Sequence, residues 1–163
     1  GERTFDLLTQ AAGRAGRGET AGLVVIQTYS PDDPVIQTAA TQDYERFYEH
    51  EIAYRTVLKY PPVYDMMAVL LTGEREEELQ DISCLLTDFI RQGEKNQEGI
   101  HVIGPTVPMI GKIKDLYRRI FYMKAKDVRK LSEAKGQLDE YVSQLKLPDD
   151  IRIYYDLNPM NGY

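Results

Sequence analysis

The chain has 163 residues, a formal net charge of −6, and 42% hydrophobic and 28% charged residues, a balance that supports a packed core and excludes wholesale disorder. Its length suits one ordinary domain, or a compact domain with part of another. The single cysteine, Cys84, provides neither an internal disulfide nor a multi-thiolate zinc site, no charged-then-apolar leader is visible, and no apolar run approaches the ~20 residues of a membrane span, so a reducing, cytosolic chain is expected.

From Gly1 to about Tyr60 the pattern is a short helix (TFDLLTQAAGRAG), a glycine-bounded strand (GLVVIQTYS), then helices opening at Pro34 and at Asp43. Leu23, Val24, Val25 and Ile26 are apolar in succession, as in a strand covered on both faces. Such a strand needs neighbours that this portion does not supply, so it is expected to be the end of a larger α/β domain that begins upstream. The YPP run at Tyr60 to Pro62 marks a boundary, because proline restricts the residue before it and cannot continue a helix. Two domains are expected, 1–60 and 61–163.

The second portion predicts its own sheet. YDMMAVLLTG reads as a strand. In REEELQDISCLLTDFIRQG, residues Leu79, Ile82, Leu85, Leu86, Phe89 and Ile90 fall at helical spacing, with Cys84 as partly buried packing among them. EKNQEG reads as a polar loop, IHVIGPTVPMI as a short strand ended by prolines, and LYRRIFYMKAK as a longer strand rich in β-formers. Asp127 is the expected N-cap of a helix with Val128, Leu131, Leu138, Val142 and Leu145 on one face, and IRIYYDLN is the last strand. The order β-α-β-β-α-β predicts an α+β, ferredoxin-like domain: four antiparallel strands, both helices on one face, the other face open.

Within the acidic chain, residues 112–130 hold eight basic residues against two acidic ones, a stripe suited to a polyanion. Along the third strand, one parity (Tyr117, Arg119, Phe121, Met123, Ala125) is mostly apolar and is expected against the helices. The other places Arg118, Tyr122 and Lys124 on the open face, where cations and a ring would contact phosphates and stack a base. An ordinary solvated face fits the same parity, and the aromatic signature of an RNA-recognition module is absent. His50 and His101 lack neighbours at ligand spacing and read as structural, and no metal site is expected. GPTVPMIGKIK lacks phosphate-loop spacing and reads as a strand end and turn.

The most specific segment is QAAGRAGRG. Arg14 and Arg17 follow glycines, and Gln10 precedes Arg14 by one helical turn. A guanidinium fork matches phosphoryl oxygens and stabilises charge that develops in phosphoryl transfer, while glycine permits close backbone approach. The alternative is a glycine-interrupted helix end with solvated arginines.

This Q-x-x-G-R-x-G-R pattern resembles motif VI of superfamily-two helicases. With QTYSPDDPVIQ, EHEIAYRTVLKYPP and YYDLNP, nearly the whole chain resembles the C-terminal part of the PriA family of replication-restart DNA helicases. The resemblance implies that residues 1–60 end a RecA-like second helicase lobe, with Arg14, Arg17 and Gln10 reaching ATP held mainly by the first lobe. It implies an enzyme that, when whole, uses ATP and Mg²⁺ to unwind DNA 3′-to-5′ at abandoned forks and carries zinc. The phosphate-binding lysine loop, the Mg²⁺-binding acidic motif and the zinc cysteines are not in this chain, so alone it is expected to hydrolyse no ATP. For the C-terminal domain the resemblance implies branched or single-stranded DNA, the single-stranded-DNA-binding protein and other primosome proteins as partners. Arg118 and Arg119, flanked by Tyr117, Phe121 and Tyr122, suit an acidic, apolar tail; Lys112, Lys114, Lys124 and Lys126 suit DNA phosphates. Two further readings stay open: a protein-interaction platform with little DNA contact, and an independent RNA-binding module.

Overall fold

A computed structural model describes residues 1–15, 22–94 and 99–160. The chain divides into two compact units, Gly1–Leu58 and Lys59–Tyr163.

In the first unit three helices, α1 (Glu2–Ala15), α2 (Pro34–Thr41) and α3 (Tyr44–Leu58), surround a small core. Phe5, Ala39 and Phe47 are buried, with Leu8 and Val35 packed against them. The rings of Phe5 and Phe47 stack with centroids 4.2 Å apart. The helix starts follow from their caps. Asp33 accepts the Val35 N–H at 2.8 Å ahead of Pro34, and Asp43 accepts the Arg46 N–H at 3.0 Å, satisfying donors that a helix end leaves open. Arg55 ties α3 to α1 through Glu2 at 3.1 Å and is supported by Glu51 at 2.9 Å.

The strand expected over residues 22–30 is not formed; this segment has no regular structure, and Leu23 and Val25 are 88% and 80% exposed. A strand exists only as part of a ladder that satisfies its N–H and C=O groups, and the described residues of this unit contain no other strand.

The second unit contains β1 (Asp65–Gly73), α4 (Glu76–Glu94), β2 (Ile100–Thr106), β3 (Lys112–Ile113), β4 (Leu116–Ala125), α5 (Val128–Gln144) and β5 (Arg152–Leu157). Strand order is β2-β4-β1-β5, and β3 pairs with β4. All pairings are antiparallel. The sheet thus has five strands where four were expected. The addition is a tight hairpin whose two turn residues, Lys114 and Asp115, both have positive φ (48° and 64°), as a two-residue turn compatible with strand twist requires.

The central strand β1 is buried from Met67 to Gly73, flanked by β4 and β5. On one face Val69, Leu71, Phe121 and Met123 meet Leu79 and Leu86 of α4 and Leu131 and Leu138 of α5 in the main core. Burial of each such side chain stabilises the fold by roughly 1.5–3 kcal/mol. Phe89 and Tyr141 join the two helices as parallel rings 4.1 Å apart. Two residues expected on the buried helix faces are exposed, Leu85 at 42% and Val128 at 37%, whereas Leu86 and Leu131, expected there as well, are fully buried. The loop expected at EKNQEG falls largely on residues 95–98, outside the described residues. Next to a register shift in β2, Gly104 has φ of 101°, and a Cβ there would lie 3.0 Å from the Ile120 carbonyl oxygen, so glycine lets β2 lie against β4.

Candidate functional site

Gln10 and Arg14 stand four residues apart on α1, both exposed. Arg14 occupies the last turn, where a cation complements the carbonyl end of the helix. Among the described residues, a side chain at Gly13 would meet nothing within 4 Å. Arg17 lies outside the described residues.

The second unit presents the sheet face opposite α4 and α5. Strand register arranges this face as a lattice, because residues of one parity on paired strands share a side. Arg118, Thr72 and Arg152 form the first row across β4, β1 and β5; Ile120, Leu70 and Tyr154 form the second; Tyr122, Ala68 and Asp156 the third. Ile103 of β2 extends the third row beside Tyr122, and Lys124 lies between Met66 and His101 in the fourth. Along each strand the rows are about 7 Å apart. The lattice therefore carries two arginines at one end, the buried Lys124 at the other, and rings, aliphatic groups and the Asp156 carboxylate between them.

The far end is held by the segment that enters β1. Lys124 is only 3% exposed, with its Nζ 3.3 Å from the Tyr60 ring centroid, a cation–π contact. Lys59 Nζ lies 2.6 Å from His101 Nε2. Partial desolvation lowers the pKa of His101, with the charges of Lys59 and Lys124 adding to it; the neutral imidazole accepts a hydrogen bond from the Lys59 ammonium. Burial likewise lowers the pKa of Lys124 and raises that of Tyr122. A cavity of about 290 Å³ opens here, lined by Tyr60, Met66, Ile103, Tyr122, Lys124 and Met160 among others.

The basic stripe divides among these surroundings. Arg118, Tyr122 and Lys124 share the open face. Arg119 does not: it is 6% exposed on the helix side and donates to Gln80 Oε1 at 2.5 Å and Glu76 Oε1 at 2.9 Å of α4. Lys112 pairs with Tyr117 in register, its Nζ 4.4 Å from that ring and 3.5 Å from Asp115. Lys114 sits in the hairpin turn and Lys126 past the end of β4, both exposed. Arg129 is engaged by Asp127 at 2.6 Å. Arg118 donates to the Ile110 carbonyl oxygen at 3.0 Å. Thr72, Arg152 and Tyr154 join this face without having stood out in the sequence; period-two alternation in IRIYYDL was the available signal.

Residues 56–160 match the family model described as the primosomal protein N C-terminal domain. The chain is 35% identical over 158 residues to the Replication restart protein PriA of Bacillus subtilis, a match covering 97% of this chain and 19% of that protein. It is 40% identical over 121 residues to the protein of that name from Synechocystis sp., covering 72% of this chain and 14% of the relative. With the Chlamydia trachomatis protein of that name the identity is 30% over 162 residues, 99% of this chain and 21% of the relative. The chain thus spans about a fifth of the length of such relatives. On this agreement between a family model and full-span relatives, the chain belongs to the PriA family and carries its C-terminal domain.

Proposed function

We propose that the chain acts in replication restart as the DNA-binding, motor-completing C-terminal portion of an ATP-dependent 3′-to-5′ helicase that recognises stalled forks. The carrying observation is the lattice on the open sheet face, with Arg118 and Arg152 at one end and the rings of Tyr154 and Tyr122 beyond them. That composition suits a single strand whose phosphates meet cations and whose bases stack on rings. The strand order β2-β4-β1-β5 supports reading the second unit as ferredoxin-like, with β3 an added hairpin. We read the first unit as the tail of a RecA-like lobe, in which Gln10, Arg14 and Arg17 would complete an ATP site. The phosphate cradle and Mg²⁺ of that site, and the zinc, would belong to other parts of the whole protein.

A second reading, a platform for the tail of the single-stranded-DNA-binding protein and other primosome proteins, is favoured by the internal pairing of Lys112, Arg119 and Arg129, which leaves fewer cations for DNA. A salt titration of binding to forked DNA and, in parallel, to an acidic peptide with an apolar C-terminus separates the two. Fork affinity that falls steeply with salt supports the first; peptide binding with little fork binding supports the second.

A further inference from the structure

We propose that Arg118, Thr72 and Arg152 form a phosphate-binding site on the sheet face of the second unit. The three residues lie directly across from one another, Thr72 facing Arg118 on β4 and Arg152 on β5. They share the face of Leu70 and Ala68, opposite the main core. The two arginine backbones flank β1 and so stand about 10 Å apart, a span that two guanidinium side chains close around one tetrahedral anion.

The second observation is the centre of the row. Thr72 is 9% exposed, and its Oγ1 is buried with no hydrogen-bond partner. A buried hydroxyl without a partner costs free energy, so the position is one that a ligand oxygen would satisfy. Both guanidinium groups are held at the rim: Arg118 Nη1 donates to the Ile110 carbonyl at 3.0 Å, and Arg152 Nη1 donates to the carbonyls of Ile151 and Asp149. Each guanidinium carries five N–H donors, and the described bonds of these two use Nη1 alone. The Asp150 carboxylate accepts the Glu74 N–H at 2.8 Å and also feels the charges of Arg75 and Arg152. Phosphate is the chemistry that matches two fixed forks and a hydroxyl. Its source is either a phosphodiester of the strand on the face, which rests on the reading above, or a free phosphate.

The test uses the full chain with two probes, an oligothymidylate and inorganic phosphate, followed by heteronuclear NMR and fluorescence anisotropy. The variants are Thr72→Val, Arg152→Gln and Arg152→Lys. Arg152→Gln is expected to weaken oligonucleotide binding about tenfold and to reduce the slope of log affinity against log salt by about one. Thr72→Val is expected to weaken it about threefold while leaving the melting temperature equal or higher, since it removes an unpartnered hydroxyl. Arg152→Lys is expected to restore the salt slope but only part of the affinity. Shifts at Thr72 from inorganic phosphate, with no oligonucleotide binding, uphold the site and overturn the nucleic-acid reading of the face. Oligonucleotide binding that is unchanged in Thr72→Val and Arg152→Gln overturns the site and leaves the face reading standing. Absence of both kinds of binding overturns both.

Discussion

Arg118 and Arg119 are neighbours in the chain, yet β4 sends them to opposite sides of the sheet: Arg118 to the Ile110 carbonyl at 3.0 Å, Arg119 to Gln80 at 2.5 Å and Glu76 at 2.9 Å. Replacing them should therefore separate binding from stability. Arg119→Ala strands Gln80 and Glu76 and is expected to destabilise the second unit by roughly 2–3 kcal/mol in urea unfolding, with DNA affinity unchanged. Arg118→Gln is expected to shift the unfolding midpoint little and to weaken DNA binding severalfold. Equal effects of both variants on stability would contradict the assignment of faces.

Phe121 of β4 is fully buried in the core between the sheet and the helices. Phe121→Ala is expected to cost about 3–5 kcal/mol, by lost transfer energy and the cavity left behind. Val128→Ala, on the partly exposed start of α5, should stay within about 0.5 kcal/mol. Urea titrations followed by circular dichroism check both.

The contact between Lys59 and His101 gives a direction for pH. The folded pKa of His101 is lowered from its ordinary 6.5 by partial desolvation and then by Lys59 and Lys124, so the folded state resists protonation more than the unfolded chain does. Its contribution is complete above 6.5 and is lost as pH falls through the folded value. The melting temperature of the wild-type chain should fall more between pH 8 and pH 5 than that of His101→Gln. Parallel curves would remove His101 from the pH response.

Arg14 stands on an exposed helix end, and the sequence contains no G-x-x-x-x-G-K-[ST] run of the kind that cradles phosphates. The purified chain is expected to show no ATP turnover with or without DNA. Turnover stimulated by DNA, in a preparation free of contaminating ATPase, would overturn the division of labour proposed for the two helicase lobes.

How far the sequence was legible depended on the range of the interaction. Alternation along LYRRIFYMKA separates Arg118, Tyr122 and Lys124 from Tyr117, Phe121 and Met123, because side-chain parity is local. The partners of Arg119, 39 and 43 residues away, follow from tertiary packing and leave no local trace. Burial patterning in GLVVIQTYS predicted a strand, but a ladder needs a partner strand that patterning does not supply. β3 has only two residues, too few for periodicity, and its turn uses Lys114 and Asp115 in place of the Asn-Gly pair that marks such turns. Thr72 and Arg152 gain meaning only from register, which set them beside Arg118. Lys124 was legible as facing the open side, whereas its cover by Tyr60 depends on how the entering segment folds back.

The proposed seat of nucleic acid is the sheet face away from α4 and α5. Its most direct test is an amide and side-chain chemical-shift titration of the full chain with a short oligothymidylate at low salt. Perturbations are expected to concentrate on Arg118, Ile120 and Tyr122 of β4 and on Tyr154 of β5, and to fade as salt rises. Perturbations confined to the outer surfaces of α4 and α5, or none at all, would contradict it.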